Sequence, residues 1–286
     1  MPTSPDSPFP IPGPVAFIGG GNMARSLVGG LVARGVDPAR IHVADPAQPQ
    51  REALAREFGV RTHVDNAAAA AVGDTWVLAV KPQMMRIVCE PLAEAARARR
   101  PLAVSIAAGI TSAQVARWLG DETGERQPVV RTMPNTPALL GAGVTGLYAN
   151  PAVDADGRAR AQSLLEAAGT TVWIGDEALM DAVTAVSGSG PAYVFLLAEA
   201  MQTAGEAEGL PADAARTLAL QTILGAARML TEGDEPAAEL RRRVTSPGGT
   251  TQAAIEVFEA GGLRALVARA VHAARVRGAE LAADND

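Results

Sequence analysis

Several absences narrow this sequence before any motif is read. It has one cysteine, Cys89, so no internal disulfide can form and a reducing compartment is the default. Aromatic residues make up 3% of the chain, too few for base-stacking platforms. The net charge of −6 argues against a nucleic-acid surface, which needs clustered basic residues. Lysine is almost missing: Lys81 is the only one, and all other basic residues are arginine. The three histidines, His42, His63 and His272, are scattered, and no His/Cys/Asp/Glu group has ligand spacing, so no metal is expected. No apolar run approaches the ~20 residues of a membrane span. Residues 1–14, MPTSPDSPFPIPGP, lack the charged start and apolar run of a signal peptide and are expected to form a disordered leader. A cytoplasmic protein is the expectation.

What is present is ordinary for a folded protein: 48% hydrophobic and 20% charged over 286 residues, enough for one large domain or two. From Val15 onward, short β-branched runs alternate with amphipathic stretches. Strands are expected over residues 15–18, 41–44, 75–80, 102–106, 129–132 and 171–174. Helices are expected over 23–33, 50–58, 84–99, 112–119 and 157–168. Several strands are apolar on both faces, as in a parallel sheet covered on each side. The fold class is therefore α/β, a doubly wound Rossmann-type domain over 15–175. After Gly175 the strand signals stop, and 176–286 read as an all-helical domain with helices over 177–185, 191–207, 212–230, 237–244, 251–259 and 263–282. Two of its stretches, 193–200 and 218–230, are apolar around much of their circumference. Such helices need more than one neighbour, so burial in a homodimer is expected; a wholly intrachain core is the alternative.

Gly19-Gly20-Gly21-Asn22-Met23-Ala24 stands between the first strand and first helix. It fits G-x-G-x-x-A, the alanine-ended dinucleotide fingerprint. Gly19 permits the tight turn and Gly21 lets the backbone approach a pyrophosphate. Ala24 keeps the helix close to the sheet, and the helix N-terminus supplies free N–H groups. Asp45 ends the second strand, where a carboxylate can accept hydrogen bonds from the adenosine ribose. It would also repel a 2′-phosphate, which favours NADH; a turn-forming Asp before Pro46 is the alternative, and NADH and NADPH both stay open. Ala79-Val80-Lys81-Pro82 follows the next strand, at the sheet edge where ligands bind, unless Lys81 is merely a solvated loop residue. Small residues in Ser105-Ile106-Ala107-Ala108-Gly109 permit close approach of a nicotinamide or ribose, or simply of packing neighbours.

At this point the chain resembles pyrroline-5-carboxylate reductase along nearly its whole length. The resemblance rests on FIGGGNMA (17–24), AVKP (79–82), SIAAG (105–109), RTMPNTP (131–137), SGSGPAY (187–193) and VTSPGGTT (244–251), in order and at compatible spacing. It implies a Rossmann-type domain, a helical domain that dimerises, often in rings of dimers, and NADPH or NADH as cofactor. It also implies an active site shared between subunits, with cofactor on one and the VTSPGGTT loop from its partner. By position, Ile18 to Met23, Asn66, Ala79 to Pro82 and Ile106 to Ala108 resemble cofactor contacts. Ser246 and Gly248, Gly249, Thr250 and Thr251 resemble the substrate loop.

The chemistry follows from the residue types. A cyclic imine bearing a carboxylate needs an anion cradle, and two glycines before a helix N-terminus provide one. Thr251 at the helix mouth is the candidate catalytic residue, orienting the ring and helping to protonate nitrogen, with positioning as the main effect. The alternative for Ser246, Thr250 and Thr251 is helix capping. Neither threonine is followed three residues on by Glu or Gln, so no capping box is expected on them. Ser187-Gly188-Ser189-Gly190-Pro191 either brings backbone near the nicotinamide or caps the next helix. Arg241, Arg242 and Arg243 read best as a solvated basic turn. Hydroxyacid dehydrogenases of similar plan use a lysine in the helical domain, and none follows Lys81 here. Lactate-type enzymes pair a histidine with a carboxylate, and His272 has no evident partner. A dinucleotide sensor on the same fold is the non-enzymatic rival.

Overall fold

Short aliphatic runs close one eight-stranded sheet in this computed structural model, which describes residues 13–123 and 126–284. The leader expected over 1–14 lies outside the described residues, save Gly13 and Pro14. The strands are β1 (Val15–Ile18), β2 (Ile41–Ala44), β3 (Arg61–His63), β4 (Thr75–Leu78), β5 (Leu102–Ser105), β6 (Val129–Met133), β7 (Gly143–Ala149) and β8 (Gly169–Trp173), in the order β3-β2-β1-β4-β5-β6-β7-β8. Every pairing is parallel except β6 with β7. β1, β2, β4 and β5 are buried at every residue, which is why they read as apolar on both faces.

On one face lie α1 (Asn22–Ala33), α2 (Gln48–Phe58) and α7 (Ala155–Glu166), which contribute Leu27, Leu31, Leu54 and Leu164 to a core with Phe17, Val43 and Val77. The other face is covered by α3 (Asn66–Ala70), α4 (Met85–Cys89), α5 (Ala93–Arg99) and α6 (Ser112–Trp118), with Ile18, Trp76 and Leu78 beneath. The helix expected over 84–99 is broken by a 3₁₀ turn at Glu90–Leu92; Pro91 has no N–H to donate and its ring obstructs a regular helix. Two strands were not legible. β3 is a short, partly exposed edge strand of polar residues, and β7, Gly-Val-Thr-Gly-Leu-Tyr-Ala, carries glycines that mask its alternation.

The described residues divide into a first unit, up to Ser189 together with those from Ala274 on, and a second, Gly190–Ala273. Helical composition begins after Gly175, whereas the first unit runs on through α8 (Met180–Val183) and a π-helical turn, Thr184–Gly188. The carboxylates of Glu177 and Asp181 explain this extension, because both engage the Arg131 guanidinium on β6, at 3.5 and 3.0 Å. The second unit holds α9 (Gly190–Ala207), α10 (Ala212–Glu232), α11 (Ala237–Arg243), α12 (Thr250–Ala260) and the start of α13 (Leu263–Asp284). Gly209, at φ +97, turns the chain between α9 and α10, a conformation that favours glycine.

Only Ala215 and Ala219 are buried among the described residues of this second unit, while Phe195 is 65% and Leu196 66% exposed. Leu197, Leu218, Leu224 and Met229 are also exposed. A helical unit without a closed core cannot stand alone in water, so these faces need a partner. No helix of the described residues is long and apolar enough to cross a membrane.

Candidate active site

The strand order places a topological switch between β2-β1 and β4, and ligands in open α/β sheets bind outside the carboxyl ends of such strands. The loops after β1, β2 and β4 converge there on a groove of about 530 Å³. Its lining includes Gly19, Gly21, Asp45, Asn66, Ala79, Val80 and Lys81. Asp65, Val64, Pro46, Met84 and Val88 line it too; no motif marks them, and only their place after β2, β3 and β4 could have found them.

Each fingerprint residue has a separable job. Gly19 sits at φ +104, and a Cβ there would lie 2.6 Å from the Ala79 carbonyl oxygen, so only glycine permits this turn against β4. Gly21 differs: its φ of −68 suits any residue, and a Cβ there would meet nothing within 4 Å. Its lack of a side chain leaves the groove open at the mouth of α1, where no side chain caps the helix. Open amides with a positive helix end suit a pyrophosphate. Ala24 is buried in the core below, as a close helix–sheet contact needs. Ile18 has a fully buried side chain, so it can offer a ligand only its main chain. Asn22 is exposed, and Gly20 and Met23 are more covered.

Asp45 joins both of its sequence readings. One carboxylate oxygen accepts the Ala47 N–H at 2.8 Å, the turn expected before Pro46; the other accepts the Gly20 N–H at 2.8 Å. A carboxylate has about four acceptor positions, so two remain for ribose hydroxyls. Arg51 donates through one nitrogen, Nη1, to the carbonyls of Asp45 and Pro46, at 2.7 and 2.9 Å. Asn66 opens α3, whose cap is Asp65 accepting the Ala67 N–H at 3.0 Å. Lys81 makes no ion pair among the described residues and opens the 3₁₀ turn Pro82–Met84.

Ile106 and Ala107 do not line this groove: Ile106 packs against the core, and Ala107 is buried. Ala108 and Pro82 instead line a neighbouring, mostly apolar cavity of about 390 Å³ with Gln83, Gly109, Thr184 and Leu281. The RTMPNTP segment serves the same region. Asn135 donates to the Ser187 carbonyl at 3.3 Å and accepts the Val144 N–H at 3.0 Å, tying the π turn to β7.

In the second unit, the loop before α12 has an open end. Gly249 is the cap residue and offers no side chain, and the hydroxyls of Ser246, Thr250 and Thr251 make no hydrogen bond among the described residues. The capping alternative therefore does not describe them. Gly248 is at φ +69. Arg241, Arg242 and Arg243 pair with Glu259, Glu239 and Glu235 respectively, consistent with a solvated basic turn.

A switch-point groove built from a glycine fingerprint belongs to the nucleotide-dependent oxidoreductases. Among solved proteins, the fold matches a pyrroline-5-carboxylate reductase from Coxiella burnetii with a TM-score of 0.90, at 44% identity, covering 94% of this chain and 98% of that one. It also matches pyrroline carboxylate reductase from Plasmodium falciparum, solved with NADP bound, with a TM-score of 0.81 at 27% identity over 95% of this chain and 99% of that one. The Pseudomonas aeruginosa pyrroline-5-carboxylate reductase is 54% identical over 94% of this chain and 96% of its own length. A family model for pyrroline-5-carboxylate reductase dimerisation matches residues 177–281. A second, described as NADP oxidoreductase, coenzyme F420-dependent, matches residues 14–109. This chain belongs to the pyrroline-5-carboxylate reductase family.

Proposed function

We propose that the chain reduces 1-pyrroline-5-carboxylate to L-proline, with NAD(P)H held in the switch-point groove and the imine acid held by the 245–251 loop. The observation that carries this reading is the pair of open helix N-termini, at Gly21 and at Gly249, neither closed by a capping side chain. The first suits a pyrophosphate and the second a carboxylate. When bound, the reduced nicotinamide supplies the hydride. The chain's own contribution is to hold its ligands and to keep polar groups in place. Gly19 and Gly20 shape the turn, their amides taken by the Ala44 carbonyl and the Asp45 carboxylate; Gly21 to Met23 offer main-chain amides, and Asp45 and Asn66 take the adenosine end. Ala79 to Lys81 line the groove toward the ring, Pro82 and Ala108 line the cavity beside it, and Ile106 and Ala107 support that wall from the core.

Gly248 and Gly249 shape the turn that leaves the Ser246 hydroxyl and the first amides of α12, from Thr250 on, to cradle the substrate carboxylate. The Thr251 hydroxyl orients the imine nitrogen, which gains a proton while its carbon gains hydride. A hydroxyl is a weak acid, so water or the iminium form brings that proton, and positioning is the larger effect. The exposed faces of α9 and α10 pair with a second copy, as the match to the dimerisation family supports. In this reading the imine loop comes from the partner subunit, a ring of dimers is the larger assembly, and the work is cytoplasmic.

The test is steady-state oxidation of NADH and of NADPH with and without pyrroline-5-carboxylate. Imine-dependent oxidation with formation of proline is expected, and no oxidation of either nucleotide would overturn the function. Asp45 favours NADH, because a 2′-phosphate would lie against a carboxylate while Arg51 is already engaged. A higher kcat/KM with NADPH would overturn that role alone.

A further inference from the structure

The cradle loop owes its shape to a side chain outside every recognised motif. Gln252 is the third residue of α12, three positions after the cap Gly249. From there it reaches back: its Oε1 accepts the Gly248 N–H at 2.7 Å. Its Nε2 donates to Glu256 Oε1 at 2.7 Å, so the carboxylate one turn on decides which end of the amide faces the loop. The Gly249 N–H is satisfied separately, by the Ser246 carbonyl at 3.0 Å. The bond falls one residue before the cap amide that a capping box would engage, and the cap, a glycine, has no side chain to accept a first-turn N–H. The amides of Thr250, Thr251 and Gln252 therefore find no acceptor among the described residues. The two glycine amides are turned inward and three helix amides are left facing out.

We infer that Gln252 is a positioning residue for the imine acid. It pins the Gly248–Gly249 turn so that the outward amides and the Thr251 hydroxyl stand ready for the substrate carboxylate and ring. A glycine pair left unpinned spreads over many conformations, and substrate binding would have to order it. The Gln252 side chain touches no substrate itself; only its main-chain amide is among the outward three. The inference rests on the reading of 245–251 as the substrate loop.

The test compares the wild type with Gln252→Ala and Gln252→Glu in the full-length protein. With Q252A, the KM for pyrroline-5-carboxylate rises about five- to tenfold, as loss of one hydrogen bond and of loop order would give. The KM for the nucleotide and the thermal midpoint stay unchanged, and the Gly248 amide exchanges faster with solvent in the substrate-free protein. Q252E keeps an acceptor for the Gly248 N–H but loses the donor to Glu256, so Gly248 exchanges faster than in the wild type and more slowly than in Q252A. Q252E also sets a carboxylate beside the cradle, so its raised imine KM falls again with added salt, whereas that of Q252A does not. An unchanged imine KM in Q252A, or a Gly248 amide that exchanges no faster, overturns the inference. Failure of the wild type to reduce the imine at all would instead overturn the parent reading.

Discussion

A Gly21→Val chain is expected to fold as the wild type does and to lose nucleotide affinity by at least about a hundredfold. The two halves of that expectation have separate causes. Gly21 has an ordinary φ of −68, so valine brings no left-handed strain. No protein atom lies within 4 Å of where its Cβ would stand, so the change in unfolding free energy stays within about 1 kcal/mol. The valine instead fills the groove at the mouth of α1, where the pyrophosphate must approach main-chain amides. Gly19 would not separate the two effects, because its added carbon strikes the Ala79 carbonyl oxygen and the fold itself suffers. Fluorescence titration with NADH alongside urea unfolding measures both. Undiminished nucleotide binding by G21V would show that the ligand lies elsewhere.

Arg131→Ala is expected to lower the unfolding free energy by about 3–5 kcal/mol, the cost of breaking a buried ion pair from one side. The Arg131 side chain is 6% exposed and serves two carboxylates, Glu177 and Asp181, which are 22% and 19% exposed. Glu177 keeps partners, since it also accepts from the Ser112 N–H and hydroxyl at 2.6 and 2.7 Å. Asp181 keeps no other ion pair among the described residues. Arg131→Lys should lose less, because it retains the charge but not the fork that spans both acids. Cys89 offers a sensitive readout: it is fully buried, and burial pushes its thiol up to about 12. A thiol reagent should leave the native wild type unlabelled and reach R131A through its more frequent openings. Equal urea midpoints for R131A and the wild type would mean that this cluster does not hold the segment before the π turn.

The legible part of this protein was the part governed by local rules. Strands buried on both faces are mostly apolar, with single polar residues at His42, Thr75 and Ser105, so β1, β2, β4 and β5 could be read to within a residue or two. The fingerprint, Asp45 and Lys81 were legible because topology, and not long-range packing, brings the ends of β1, β2 and β4 together. Illegible features depended on neighbours far along the chain. Arg131 sat inside a recognised motif, yet its partners are 46 and 50 residues away. Gln252 carries no motif signal, because the cap of α12 is Gly249, which has no side chain, and the glutamine's partner is the main-chain amide of Gly248. Ile106 and Ala107 resemble cofactor contacts by position, and their packing on the core depends on neighbours that the sequence alone does not display.

The most direct measurement follows a single hydride. The protein would be incubated with pyrroline-5-carboxylate and nicotinamide nucleotide deuterated at C4 on the transferring face, and the product examined by mass spectrometry and NMR. Proline carrying one deuterium at C5, formed in step with nucleotide oxidation, is the expected result. Proline without deuterium from either face-labelled nucleotide, or no proline while the nucleotide stays bound and reduced, would contradict direct reduction of the imine.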